Sequence, residues 1–112
     1  MINEITFNKV KELCIETKED IFYGLTEEVG ELALALHVEN GTKHRDLKEP
    51  SKVECIDIML LACEMYIKLG GTLEEMPVIT QTKLKKWEDK INELQKIPKN
   101  QSSSYQRKYI ER

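Results

Sequence analysis

Basic residues are missing from two long stretches of this 112-residue sequence. No Lys or Arg occurs from Ile21 to Asn40, and none occurs from Val53 to Ile67. Acids in the interior of both stretches lack the i,i+4 ion pairs that are typical of solvated helices. These acids therefore need a partner from outside their own helices.

Other absences narrow the class of protein. The three cysteines are odd in number and form no C-x-x-C pair, which predicts buried free thiols in a reducing compartment. The longest apolar stretch, Ile56 to Tyr66, is interrupted by Asp57 and Glu64 and is shorter than the roughly 20 residues that span a bilayer. Residues 1–20 lack the continuous apolar segment of a signal peptide. We therefore expect a soluble, cytoplasmic protein.

The overall charge is mildly acidic, with a net charge of −3 and a pI of about 5.5. Such a balance gives no general attraction to nucleic acid or to an anionic membrane. We expect neither of them as a partner.

Five acids lie at helical spacings within the two stretches that lack basic residues: Glu27, Glu28, Glu31, Glu54 and Asp57. Apolar neighbours indicate that their faces are partly buried, and burial of an unpaired ion costs on the order of several kcal/mol. A divalent cation would remove that cost. Oxygen ligands without His or Cys favour a hard ion, Mg²⁺ or Mn²⁺. The alternative is that these acids line solvated helix faces, which explains them poorly because no i,i+4 basic partner is present.

Helical periodicity extends to about residue 97, and no period-2 strand pattern appears. We predict helices over about 6–20, 21–38 and from Ser51 to the Gly70-Gly71 pair, followed by a main helix over about 78–94 after a kink or lead-in at Pro77. Capping boxes are predicted at Ser51 with Glu54 and at Thr72 with Glu75. One all-α domain over 1–97 and a mobile tail over 98–112 follow.

The predicted third helix is apolar around most of its circumference, from Cys55 to Met65. Such a helix must be covered on more than one side, and three companion helices of this length cover it only in part. We therefore expect a second subunit to complete the core, most simply as a two-fold dimer.

The pattern Glu27-Glu28-x-x-Glu31, followed some twenty residues later by Glu54-x-x-Asp57, resembles the MazG-like branch of the all-α nucleoside triphosphate pyrophosphohydrolases. The match covers roughly residues 21–87. The resemblance implies a four-helix bundle-like MazG fold completed by dimerisation, as a homodimer or a dimer of dimers. It implies Mg²⁺-dependent hydrolysis of a nucleoside triphosphate between the α and β phosphates, which yields the monophosphate and pyrophosphate.

The resemblance also implies roles for individual residues. Glu28, Glu31, Glu54 and Asp57 would be the metal ligands, and Glu27 would bind a second ion or orient the attacking water as general base. Lys83 and Lys86 resemble the family's late Lys-x-x-Arg element, with Lys86 standing where Arg is commoner. We predict that both contact the substrate, together with Lys52 and Arg45 in or just after the loop between the acidic helices. For each of these basic residues a solvated surface cation is the alternative.

Three functions stay open at this point. The first is a general pyrophosphohydrolase of ribo- or deoxynucleoside triphosphates, and the second is a dUTP- or dCTP-specific hydrolase of the same superfamily. The third is a non-catalytic helical module that dimerises or binds nucleotide for regulation. Trp87, the single tryptophan, is predicted to be part of the core rather than a base-stacking residue.

Overall fold

The computed structural model of the chain describes residues 2–41 and 49–96. All regular secondary structure in this part of the chain is α-helical, which confirms the predicted all-α class. The helices are α1 (Glu4–Leu13), α2 (Lys18–Glu39), α3 (Ser51–Lys68) and α4 (Met76–Gln95). Within the same ranges, no helix combines the length and the apolar character needed to cross a membrane. Arg45 and the predicted tail lie outside the described residues.

The helices fall into two compact units, one containing α1 to α3 and ending at Leu73, and one beginning at Glu74 and containing α4. Each unit is therefore considered by itself. The first unit positions the acidic residues.

The prediction of a first helix over 6–20 was wrong at its C-terminal end, because α1 ends at Leu13 and α2 already begins at Lys18. The cause is the side chain of Thr17, which accepts a hydrogen bond from the backbone N–H of Asp20 at 3.2 Å and so caps α2. Asn3 caps α1 in the same way through the N–H of Thr6. The separate α1 buries Phe7, packs on α3 and leaves Leu13 exposed.

Helices α2 and α3 form the main packed pair of the first unit. Gly24 lies where the two helices approach, and a methyl group at its Cα would sit 3.9 Å from the side chain of Leu61, in ordinary van der Waals contact. Ile21 and Ala35 on α2 and Cys63 on α3 are buried. The packing fixes which faces of the two acidic helices meet.

Glu39, at the end of α2, ties this helix to the start of α3. Its carboxylate accepts hydrogen bonds from both the backbone N–H and the hydroxyl of Ser51, and these bonds hold the pKa of Glu39 below its ordinary value. The predicted capping box was therefore wrong. Ser51 is the first helical residue, Pro50 takes the N-cap position, and Glu54 is free for another role.

The predicted end of α3 at the glycine pair is confirmed. Gly70 has φ +92°, and its N–H bonds to the carbonyl of Ile67, while the N–H of Gly71 bonds to the carbonyl of Tyr66 at 2.8 Å. These two bonds form a Schellman motif, in which Gly supplies the left-handed residue. The ring of Tyr66 lies over Gly71, donates its hydroxyl to the carbonyl of Thr72 at 2.7 Å and meets Phe7 edge-on.

Gly71→Ala is expected to destabilise the protein by about 1–3 kcal/mol, since the added methyl group would clash with the ring of Tyr66. Thermal unfolding followed by circular dichroism measures the change. Gly30→Ala is the matched control, because Gly30 is an exposed glycine inside α2 with open space around its Cα. This control should gain up to about 1 kcal/mol from helix propensity. Equal effects of the two substitutions would contradict the packing at Gly71.

The fourth helix begins earlier than predicted. Pro77 lies in its first turn, where the missing N–H costs no hydrogen bond, and Glu75 rather than Thr72 occupies the N-cap position. No kink at Pro77 is therefore required. The prediction that Trp87 belongs to the core was also wrong for this chain, since its side chain is 59% exposed.

Candidate metal centre

The packing of α2 against α3 brings together three of the predicted metal ligands. Glu54 and Asp57 are one turn apart on α3, and Glu28 faces them from α2. One carboxylate oxygen from each residue lies within 4.8 Å of the other two. Glu28 and Asp57 are half-buried, whereas Glu54 is only 5% exposed. We call these three residues the acidic cluster.

Glu54 is held in an unfavourable environment for a charged carboxylate. Its pKa is raised from 4.5 to about 7, first by burial and then by a side-chain hydrogen bond with Glu28. The negative charges of Glu28, Glu49 and Glu31 raise it further. Near neutral pH, the acidic cluster is therefore poised to exchange a proton for another positive charge.

A hard divalent cation fits this donor set. Three carboxylates from two facing helices supply only oxygen atoms, which Mg²⁺ and Mn²⁺ prefer. Facing helices of a bundle provide metal ligands in this way in carboxylate-bridged metalloproteins. Glu54 gains most from such a cation, because its carboxylate is buried away from solvent and its charged neighbours are acids.

The other predicted site residues lie outside the acidic cluster or outside the described residues. Glu27 and Glu31 are exposed on α2 and lie outside the group within 4.8 Å, although the charge of Glu31 acts on Glu54. Lys52 is exposed on α3. Lys83 and Lys86 are exposed on α4, in the second unit. The substrate contacts assigned to these lysines and to Arg45 stay predictions.

Glu49 was missed by reasoning from the sequence. It is exposed, yet its charge contributes to the raised pKa of Glu54. It has no place in a helical pattern, because it comes before Pro50 and before the start of α3. Its only signal in the sequence is its position five residues ahead of Glu54, at the end of the loop.

The thiols are free, as predicted, but they are not all buried. Cys63 is buried, Cys14 is half-buried at the end of α1, and Cys55 is exposed. Burial raises the pKa of the Cys63 thiol, and the nearby Cys14 adds to this effect. A buried thiol with a raised pKa is a poor nucleophile.

Comparison of the chain with models of known protein families, with curated protein sequences and with solved structures found no match. The acidic cluster is therefore interpreted from its own chemistry and geometry.

Proposed function

We propose that this protein is a Mg²⁺-dependent nucleoside triphosphate pyrophosphohydrolase, with Mn²⁺ as an alternative cofactor. Its substrates would be ribo- or deoxynucleoside triphosphates, and its products the monophosphate and pyrophosphate. The observation that supports this proposal is the meeting of Glu28, Glu54 and Asp57 within 4.8 Å, with the buried Glu54 as its centre. The resemblance of the Glu-Glu-x-x-Glu and Glu-x-x-Asp patterns to MazG-like enzymes supplies the reaction type.

In this proposal Glu28, Glu54 and Asp57 hold the ion, and Glu31 completes the set from the next turn of α2. When bound, the ion supplies positive charge for the phosphate oxygens and lowers the pKa of a bound water molecule. Glu27 lies outside the acidic cluster and is exposed, so its carboxylate is available to accept the proton of the attacking water. The exposed lysines Lys52, Lys83 and Lys86, with Arg45, would bind the triphosphate.

The proposal includes a dimer, which is supported by apolar residues left exposed on both acidic helices. On α2, Phe22, Val29 and Leu36 repeat every seven residues, and all three are exposed. The large apolar side chains exposed on α3 are Val53, Ile56, Met59 and Leu60. Full burial of one such side chain contributes roughly 1.5–3 kcal/mol, so a second copy of the pair would complete the core. Sedimentation equilibrium measures the resulting mass directly.

Pyrophosphate release from a panel of nucleoside triphosphates is the direct test of the proposed activity. We expect release with Mg²⁺ or Mn²⁺ and none with EDTA. Asp57→Asn should reduce the rate more than about 100-fold, because loss of a ligand exceeds the 10–100-fold effect of outer-shell changes. The control is Asp89→Asn, which alters an exposed acid on α4 and should leave the rate unchanged.

The same panel separates the alternatives. Turnover confined to dUTP or dCTP would establish the specific hydrolase. No turnover of any nucleotide, together with a melting temperature that still rises with Mg²⁺, would contradict the proposed activity and favour the non-catalytic module.

A further inference from the structure

A row of residues along α4 repeats with the spacing of a coiled coil. The intervals between Thr80, Leu84, Trp87, Ile91 and Leu94 alternate between four and three residues, so the row follows the a and d positions of a heptad. Leu84 is 47% exposed and Trp87 is 59% exposed. Thr80 and Ile91 are half-buried, and Leu94 is buried. We call this row the α4 seam.

The exposed part of the seam consists of large apolar side chains, including the single tryptophan of the chain. Tryptophan side chains contribute a large apolar area when they are buried. Trp87 lies between Leu84 and Ile91 in the seam, and most of its surface is exposed. Charged side chains lie beside the exposed part of the seam, where Lys85 forms ion pairs with Glu88 at 3.6 Å and with Asp89 at 2.8 Å. An apolar row bordered by charges on a helix is the pattern of a helix–helix interface.

The charges beside the seam favour a parallel over an antiparallel pairing of two copies of α4. In a parallel pair of helices the g position of one copy faces the following e position of the other. On α4 these positions are Lys83 and Glu88, so two copies would form two ion pairs by symmetry. An antiparallel pair would instead bring the g-position lysines, Lys83 and Lys90, toward their counterparts, which is unfavourable. Glu88 can turn to the partner because Lys85 keeps its closer bond to Asp89.

We propose that the exposed part of the α4 seam, from Leu84 to Ile91, binds the same part of a second copy of this chain, in a parallel and in-register pair. Leu84, Trp87 and Ile91 then pack against their own counterparts, and Lys83 pairs with the Glu88 of the other copy. In such a pair Lys86, and not Lys83, would be the α4 lysine left to bind the triphosphate. The seam spans about two heptads, which is short for an independent coiled coil. The inference therefore rests on the dimer in the proposed function, to which the α4 pair adds a second contact.

Disulfide cross-linking in the full-length protein tests the register. In a Cys55→Ser background, Leu84→Cys and Ile91→Cys each place a thiol at an a position, where parallel helices bring identical residues within reach of a disulfide. After oxidation with copper phenanthroline we expect most of each variant to run as a covalent dimer. Asp89→Cys, on the outer face, is the matched control and should stay at the background level. Circular dichroism checks the fold, and Ile91→Cys alone decides if Leu84→Cys loses helicity.

An exchange of charges tests the pairing. In the Ile91→Cys protein, Lys83→Glu or Glu88→Lys alone should slow cross-linking about five- to tenfold, because attraction becomes repulsion at two symmetric sites. The combination of the two substitutions should restore the rate.

Several results would overturn the inference. One is that Asp89→Cys cross-links as much as Leu84→Cys or Ile91→Cys. A second is that the double substitution does not restore the rate. A third is that a mixture of the Leu84→Cys and Ile91→Cys proteins cross-links only between positions 84 and 91, as an antiparallel pair would. A dimer in sedimentation without cross-links at 84 or 91 would overturn the α4 pair and leave the dimer of the proposed function intact. A monomer in sedimentation would overturn both, and pyrophosphate release is scored separately.

Discussion

Glu54→Gln is expected to raise the melting temperature of the metal-free protein at pH 7.5 by a few degrees, and to abolish pyrophosphate release. The two effects have one cause. Burial and the charges of Glu28, Glu49 and Glu31 oppose a charged carboxylate at this position, so a neutral amide relieves the metal-free fold. The same amide removes a charged carboxylate from the acidic cluster, which is the ligand set of the proposed metal site. In the proposed function Glu54 therefore lowers the stability of the metal-free fold in exchange for metal binding, as is common at active sites.

The pH dependence of stability follows from the direction of the pKa shift. Between 4.5, its ordinary value, and about 7, the folded protein keeps a proton on Glu54 that the unfolded chain has lost. Since the folded state then binds more protons, this residue's contribution to stability is full below pH 4.5 and is lost as the pH rises through about 7. Glu54→Gln should remove this loss. Mg²⁺ at pH 7.5 should stabilise the natural protein and have no effect on the variant.

Differential scanning fluorimetry from pH 4.5 to 8, with EDTA or Mg²⁺, measures these effects. Glu64→Gln is the matched control on α3, because burial also raises the pKa of Glu64 while its charged neighbours are Glu16 and Lys68. That control should keep the full response to Mg²⁺. A lower melting temperature for metal-free Glu54→Gln, or an undiminished response to Mg²⁺, would contradict the role assigned to Glu54.

Glu27→Gln is expected to lower kcat by about 10²–10⁴-fold, the usual contribution of a general base. The KM for the nucleotide and the stabilisation by Mg²⁺ should change little, since Glu27 is exposed and lies outside the acidic cluster. Steady-state kinetics on the best substrate of the panel, with a thermal shift at saturating Mg²⁺, separates the two quantities.

The control for this substitution is Glu19→Gln, an exposed acid in the first turn of the same helix. It should leave kcat within twofold of the natural value. If Glu27→Gln instead raises KM or removes the Mg²⁺ response while kcat is kept, Glu27 is a ligand rather than a base. A natural protein with no turnover would point to the non-catalytic module.

The fold class was predictable from the sequence because apolar periodicity and helix ends are local properties. The glycine pair ended α3 as expected, since a left-handed residue needs Gly. The caps were less predictable because several polar residues compete for each helix start. Thr17 caps α2 from within the last turn of the predicted first helix, and Ser51 bonds to Glu39 at the end of α2 rather than to its own helix.

The site was predictable to the extent that it depends on helical spacing. Glu54 and Asp57 share a face of α3 by their spacing alone, whereas the approach of Glu28 depends on how α2 packs against α3. The influence of Glu49 could not be predicted, because it comes from the end of a loop without periodicity. The exposure of Trp87 was missed for another reason: a pattern identifies an apolar face but does not say which surface covers it.

The hydrogen bonds between Glu39 and Ser51 join the end of α2 directly to the start of α3. The relative position of the two acidic helices therefore does not depend on the length of the chain between them. A change in the length of the segment between Gly41 and Glu49 would therefore leave these bonds and the packing of α2 against α3 in place. Glu28 would keep its position relative to Glu54. In evolutionary terms, the connection can diverge while the pair of helices stays constant.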